Sequence, residues 1–198
     1  MLVEMLLHLG RLAYGEGKTT SPSSTLSTAQ WTALRYLHKA NGFSRTPSAF
    51  AKFHGTTRGT ASQTIRSLVK QGFLTQSRAA GDGRGRQLDL TEKAKAMRLC
   101  DPFEAVVRAA GDLPPAARRQ FGNSLTQVLN CVAREKGARP FGTCTSCAYL
   151  ECGDFDPKAH KTYACRITKN LLDTEDLEQL CVNFQRAEPS AAARAATQ

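Results

Sequence analysis

Thr46-Pro47 and Thr57-Arg58 both read as helix starts, and Gly55 stands between them. A proline in the first helical position has its φ already set for a helix and gives up no hydrogen bond there. This predicts a short helix over Ser48–His54 that stops at Gly55 in a left-handed cap. A second helix begins at once over Thr57–Lys70 and ends at Gln71-Gly72. Its apolar residues Ala61, Ile65, Leu68 and Val69 recur with the helical period and mark a buried face. Arg58, Thr60, Ser62, Gln63 and Arg66 are left mostly outside that face. Two helices joined by so tight a turn make a helix-turn-helix.

Next along the chain, Phe73–Arg78 and Gln87–Leu90 have strand character, around a Gly/Arg tip that reads as a basic hairpin. A helix-turn-helix plus such a hairpin is a winged helix. Upstream, Ser27 and Gln30 fit a capping box, and Leu26 is placed to staple onto Trp31. A helix is expected from there to about His38, burying Leu34 and Leu37 and stopping near Asn41-Gly42. Residues 1–14 carry Leu2, Met5, Leu6, Leu9 and Leu12 on one helical face, ahead of a polar loop from Gly15 to Thr25. Beyond the wing, helices are expected near 92–110 and 114–135. The latter opens at Pro114-Pro115 and repeats Phe121, Leu125, Val128 and Val132, an apolar stripe that asks for a partner surface.

The 198 residues carry a formal charge of +10, unevenly distributed. Residues 43–98 hold 11 Lys and Arg against 3 Asp and Glu, whereas residues 141–185 hold 4 against 7. A basic excess inside a winged helix points to a polyanionic partner. No apolar run approaches the roughly 20 residues a membrane helix needs. Glu4 and His8 interrupt the apolar opening, which has neither the basic start nor the small-residue cleavage site of a signal peptide. The expectation is a cytoplasmic chain with no membrane partner, whose thiols stay reduced.

The run from Leu26 to Thr91 resembles the MarR family of bacterial transcription regulators. Asp82-x-Arg84 in the wing, with Leu90-Thr91 then opening the next helix, is similar to that family's wing signature. The resemblance extends over about residues 1–136. It implies a homodimer whose first and last helices interlock, here residues 1–14 with those near 92–110 and 114–135. It also implies that Asp82 holds Arg84 in position rather than touching DNA.

For double-stranded DNA, phosphates supply affinity and base edges supply specificity. A helix fits the major groove, where glutamine pairs bidentately with adenine and arginine with guanine. Arg58, Thr60, Ser62, Gln63 and Arg66 are therefore the candidate base readers, and Arg84 and Arg86 the candidates for phosphates or the minor groove. A dimer would read a near-palindromic operator with half-sites about 34–36 Å apart.

Cys100 and Cys131 fall within expected helices and read as small core residues. The other five cysteines crowd into the acidic segment. After Cys144-x2-Cys147 come 17 residues to Cys165 and 15 more to Cys181, with Cys152 and His160 in between. Disulfides would suit an oxidising compartment, to which nothing here points. Zinc is open, since Cys-x2-Cys makes one half of a structural site. Its usual second doublet is replaced here by two single cysteines, for which Cys152 and His160 could substitute. An iron–sulfur cluster is a larger object wrapped from several directions, which one doublet plus two distant cysteines suits. The spacing is similar to that of high-potential iron–sulfur proteins, which implies a [4Fe-4S] cube. Phe141, Tyr149, Phe155, Tyr163 and Phe184 stand close to the cysteines and would shield it from water.

The expected ligands are Cys144, Cys147, Cys165 and Cys181, with zinc as the alternative occupant; Cys152 reads as a spare thiol and His160 as a surface histidine. A short helix is expected over Asp173–Cys181, capped by Asp173 or Thr174, and the tail from Ala187 is low-complexity. The chain thus reads as mainly α with a small β-wing. A dimerisation helix and loop (1–25) precede a winged helix-turn-helix (26–91) and further dimerisation helices (92–136). Last come a cysteine-rich module (141–185) and a disordered tail (186–198). No Ser/His/Asp grouping, phosphate loop or paired acid motif points to an enzyme. The expected function is a DNA-binding regulator whose operator affinity is set by a cluster sensing redox, gas or iron status. The alternative is a regulator answering to a small aromatic effector, with the cysteines as a zinc staple.

Overall fold

The computed structural model describes residues 1–14, 26–78, 86–138, 141–153 and 162–187. The loop Gly15–Thr25, Asp82 and Arg84 of the wing tip, Phe155, His160 and the tail from 188 lie outside the described residues. Helix α1 (Leu2–Tyr14) comes first, then α2 (Thr28–Lys39). The start of α2 is the expected one: Ser27 Oγ accepts the Gln30 N–H at 3.3 Å and Gln30 Oε1 accepts the Ser27 N–H at 2.7 Å. Leu26 and Trp31 are buried in one core cluster.

After α2, Asn41 caps a single 3₁₀ turn, Gly42–Ser44. Helix α3 (Pro47–His54) begins with the Thr46 hydroxyl accepting from Ala49 N–H at 3.1 Å and ends at Gly55. Gly55 has φ +60°, a conformation that a β-carbon would strain. In α4 (Arg58–Lys70) the Thr57 hydroxyl accepts from Thr60 N–H, and Ala61, Ile65 and Leu68 are buried. Strands β1 (Leu74–Arg78) and β2 (Arg86–Leu90) pair antiparallel, with Leu74 opposite Leu90. Leu34, Leu37, Phe50, Ile65, Leu68 and Leu88 close one core under the winged helix.

The helix expected near 92–110 is broken. Helix α5 (Glu92–Ala96), capped by Thr91, passes into a 3₁₀ turn over Met97–Cys100, and Asp101 then turns extended at ψ 127°. Pro102 is the cause, since its ring disfavours a helical residue before it. Helix α6 (Glu104–Gly111) restarts beyond it. Asp101 binds Arg35 of α2 through both oxygens, at 2.6 and 2.7 Å, and accepts the Phe103 N–H at 2.8 Å. Arg35 also donates to Tyr14 Oη at 3.2 Å, so it ties α1, α2 and the start of α6 together.

Helix α7 (Pro115–Glu135) buries none of its residues, and Phe121, Val128, Leu129 and Val132 are each at least 42% exposed. Cys100 and Cys131, expected in a core, are both exposed. Cys131 rides on α7, which has no covering surface within the described chain, and Cys100 closes the turn before the Pro102 break.

The cysteine-rich segment forms a three-stranded antiparallel sheet of β3 (Leu150–Gly153), β4 (Thr162–Cys165) and β5 (Leu171–Leu172), in that order, and then α8 (Thr174–Leu177). Helix α8 stops well short of Cys181. Asp176 Oδ2 accepts the Asp173 N–H at 3.1 Å to start it, but Leu180 and Cys181 leave it to form backbone bridges with Ala40 and Gly142. Cys144, Leu172 and Leu177 make a second small core, against which Phe43 and Tyr163 pack.

Candidate nucleic-acid interface and cysteine module

Helix α4 presents Arg58, Thr60, Gln63 and Arg66 to solvent, with Ser62 half-buried. The apolar period that buries Ala61, Ile65 and Leu68 leaves these side chains no other direction. Thr60 Oγ1 lies 2.9 Å from Thr57 Oγ1, so its hydroxyl is shared with the helix cap. Arg66 and Arg86 border one recess of about 510 Å³, whose floor is Thr46, Pro47 and Ser48 at the start of α3. The start of α3, where Pro47 has no N–H and Thr46 caps that of Ala49, contributes chiefly the positive end of the helix dipole. Two guanidinium groups and a helix start therefore face the same volume, an arrangement suited to a phosphate. Arg86 is steadied by Gln76, whose Oε1 accepts from Nη1 at 3.4 Å.

A smaller cavity of about 160 Å³ lies between α2, α3 and α4 and is bordered by Thr32, Phe50, His54 and Thr64. His54 Nε2 is buried there without a partner among the described residues. Burial, and then the charge of Arg35, push the His54 pKa below its ordinary 6.5. The cavity is well under the roughly 300 Å³ of a small drug-sized site.

In the cysteine module, Cys144 and Cys181 are buried, Cys147 and Cys165 half-buried, and Cys152 exposed on β3. Cys144 sits at the start of a 3₁₀ turn whose last bond runs from Cys147 N–H to Cys144 O at 2.9 Å. Burial pushes the Cys144 thiol up to about 11, helped by the charges of Cys181, Cys147 and Cys165 in that order. The other three thiols expected as ligands thus all bear on Cys144.

Cys165 moves the other way. Burial disfavours its thiolate, but the nearby Thr168 N–H and hydroxyl and the Ile167 N–H favour it and outweigh that, and its pKa falls below 9.0. The Thr168 hydroxyl is buried without a hydrogen-bond partner among the described residues. The turn that aims these donors closes through Lys169 N–H to Cys165 O at 2.8 Å, with Lys169 at φ +61°. A non-glycine residue held there stores strain, a feature that concentrates at functional sites. Nothing in the spacing of cysteines pointed to Thr168 or Lys169; their role emerges only when the turn closes.

An all-sulfur donor set suits a thiophilic centre such as zinc or iron–sulfur, and not a hard cation. Among the described residues, no three His, Cys, Asp or Glu side chains are grouped as the ligands of one ion. Phe184 is buried with its ring over Gly142, where an added β-carbon would stand 2.6 Å from it. Phe141 packs edge-on against Phe53 of α3, with ring centroids 4.6 Å apart.

A sequence model of the MarR family matches residues 24–85, the span from before α2 into the wing. No curated protein matches the chain. Among solved structures, Streptococcus pneumoniae FabT in complex with DNA aligns at 22% identity over 67% of this chain and 96% of that one, with a TM-score of 0.54. A MarR transcriptional regulator from Methanosarcina mazei Go1 aligns at 22% identity, 67% and 96% coverage and a TM-score of 0.51. The S. aureus MepR–DNA complex aligns at 20% identity, 66% and 95% coverage and a TM-score of 0.50. These likenesses show the fold: a mainly helical winged helix-turn-helix with a small sheet wing. Among the described residues, no helix is long and apolar enough to cross a membrane.

Proposed function

We propose that the chain is a DNA-binding transcriptional regulator of the MarR kind, acting as a homodimer on a near-palindromic operator, and not an enzyme. The observation that carries this reading is the shared face of α4 and the wing, where Arg58, Gln63 and Arg66 stand exposed and Arg86 meets Arg66 across one recess. Arg58, Gln63 and Arg66 reach base edges, with Thr60 and Ser62 beside them, and Arg84 and Arg86 hold phosphates or the minor groove. FabT and MepR, whose folds are similar, were solved in complex with DNA. The dimer forms through the apolar faces of α1 and α7. The test is selection of bound duplexes from a randomised DNA pool by the full chain. A palindromic consensus is expected, and Arg84→Ala weakens binding to all sequences and lowers the salt slope by about 1. Recovery of no duplex above background overturns the reading.

The cysteine module sets operator affinity. Cys144, Cys147, Cys165 and Cys181 would hold an iron–sulfur cluster, with [4Fe-4S] the form that best suits four thiolates. Such a cluster supplies a centre whose redox state, reaction with a small gas, or loss changes its surroundings. The support is the donor chemistry: four thiols in one small module, two of them buried, with the other three bearing on Cys144 and the Cys165 thiol lowered beside the Thr168 and Ile167 N–H groups. A coupling of about 1–3 kcal/mol would change affinity roughly 5–150-fold. Iron and sulfide analysis of protein purified without air, and then DNA titration before and after cluster removal, tests this. Iron and sulfide in stoichiometric amount and unequal affinities are expected. A colourless protein that carries zinc supports the second reading, in which the cysteines are a staple and a small aromatic effector controls binding.

A further inference from the structure

We propose that the turn Asn41–Arg45, with Asn41 and Ser44 buried, transmits the position of Cys181 to the wing, with Ser44 as the positioning residue. This link rests on the DNA-binding reading, because only there does the wing matter. On one side, the turn and the end of α2 are bonded to the segment that carries Cys181. Leu180 N–H donates to Lys39 O at 2.7 Å, Asn41 N–H donates to Leu180 O at 3.0 Å, and Val182 N–H donates to Ser44 Oγ at 2.8 Å. On the other side the same turn is bonded to β2. Leu88 N–H donates to Arg45 O at 2.8 Å, Gln87 Nε2 donates to Gly42 O at 3.0 Å, and Arg45 lies 4.0 Å from Asp89. Cys181 and Arg86 are thus joined through a handful of residues, although the sequence separates them widely.

The turn is stiff enough to pass a displacement on rather than absorb it. Asn41 is 2% and Ser44 0% exposed. Ser44 N–H donates to the Asn41 carbonyl at 2.9 Å and to its Oδ1 at 3.1 Å, and the Tyr36 hydroxyl donates to Ser44 O at 2.8 Å. Arg45 Nε donates to Ala40 O at 3.0 Å and closes the turn from outside. Tightly packed, fully bonded interiors move as units. Other contacts between module and winged helix, such as Phe53 on Phe141 and Phe43 against the Cys144 cluster, are apolar packing without directional bonds. The bonds from Leu180 and Val182 run to Lys39, Asn41 and Ser44, so a shift of Cys181 reaches Leu180 and Val182, then the turn, then β2.

Hydrogen exchange of the full chain tests the link without DNA. Cys181→Ser is expected to change exchange of the β2 amides, Leu88 above all, about fivefold or more, the low end of an ordinary coupling between sites. Cys152→Ser, on the exposed thiol of β3, leaves β2 unchanged. In a Ser44→Ala background, Cys181→Ser no longer alters β2. If circular dichroism shows that Ser44→Ala does not fold, Ser44→Cys, of like shape and a weak acceptor, takes its place. A Leu88 rate that ignores Cys181→Ser overturns the link, and so does a response that survives removal of the Ser44 hydroxyl. Duplex binding measured in parallel separates the two readings. A β2 response without DNA binding overturns the DNA reading alone, and DNA binding without a β2 response overturns the link alone.

Discussion

In the proposed complex with DNA, Gln63 and Arg86 would do different work. Gln63 is exposed on α4, where it would meet one base, whereas Arg86 lies on β2 beside the recess it shares with Arg66 and would meet a phosphate. Gln63→Ala is expected to cost about 1–3 kcal/mol at a single operator position and to relax specificity there. Arg86→Ala weakens binding to every sequence alike and reduces the salt slope by about 1. Titrations of matched and scrambled duplexes at several salt concentrations tell these apart. Cys144 makes a third residue-scale test. Its thiol is raised to about 11 from an ordinary 9.0, so the folded metal-free chain favours the protonated form. That contribution to stability is fully present below pH 9 and is lost as the pH rises through 11. Urea midpoints of metal-free protein decline across this window, and Cys144→Ser flattens the decline.

Among the elements, the segment from Phe141 to Cys147 depends on a residue without a side chain. Gly142 lies under the Phe184 ring, and its carbonyl accepts the Cys181 N–H at 3.0 Å. Gly142→Ala pushes the ring away and overpacks the site, at a cost of about 1–3 kcal/mol. Faster hydrogen exchange around Cys181 with unchanged exchange in α4 is the expected signature. Helix α7 poses the opposite problem, since its apolar stripe is covered by nothing among the described residues. Leu129, next to Val128 of that stripe and 67% exposed, is the position to charge. Leu129→Glu is expected to shift the sedimentation of the full chain from dimer to monomer, with the core under the winged helix intact.

For the whole molecule, two histidines make stability depend on acidity. His38 and His54 both titrate below 6.5, chiefly because burial disfavours the charged form. A depressed histidine pKa adds stability that is present above 6.5 and is lost as the pH falls through the folded value. His54 packs edge-on against Phe50 and Phe53, at 4.8 and 5.3 Å between ring centroids. His54→Phe keeps a ring in that place and removes the proton site. Its melting temperature is expected to fall less between pH 7 and pH 5 than that of the parent chain.

Local signals made much of the helical scaffold legible. The Ser27–Gln30 box, Gly55, and the spacing of Ala61, Ile65 and Leu68 act within one or two turns of chain, so residue type and spacing suffice to read them. Pro102 was also readable, yet the 92–110 pattern hid it, because apolar spacing carries across a kink that the backbone cannot. The exposure of Cys100 and Cys131 was not legible, since periodicity assigns a residue to a face and says nothing of what covers that face. The same limit applies to the cysteines. Their spacing named four candidates, but only the closed turn brings Thr168 and Lys169 around Cys165. Least legible of all was the junction of Ser44 with Val182, bonded across 138 residues through a backbone N–H. Every residue but proline carries that donor, so no side-chain pattern marks it, and only the packed chain decides where it is spent.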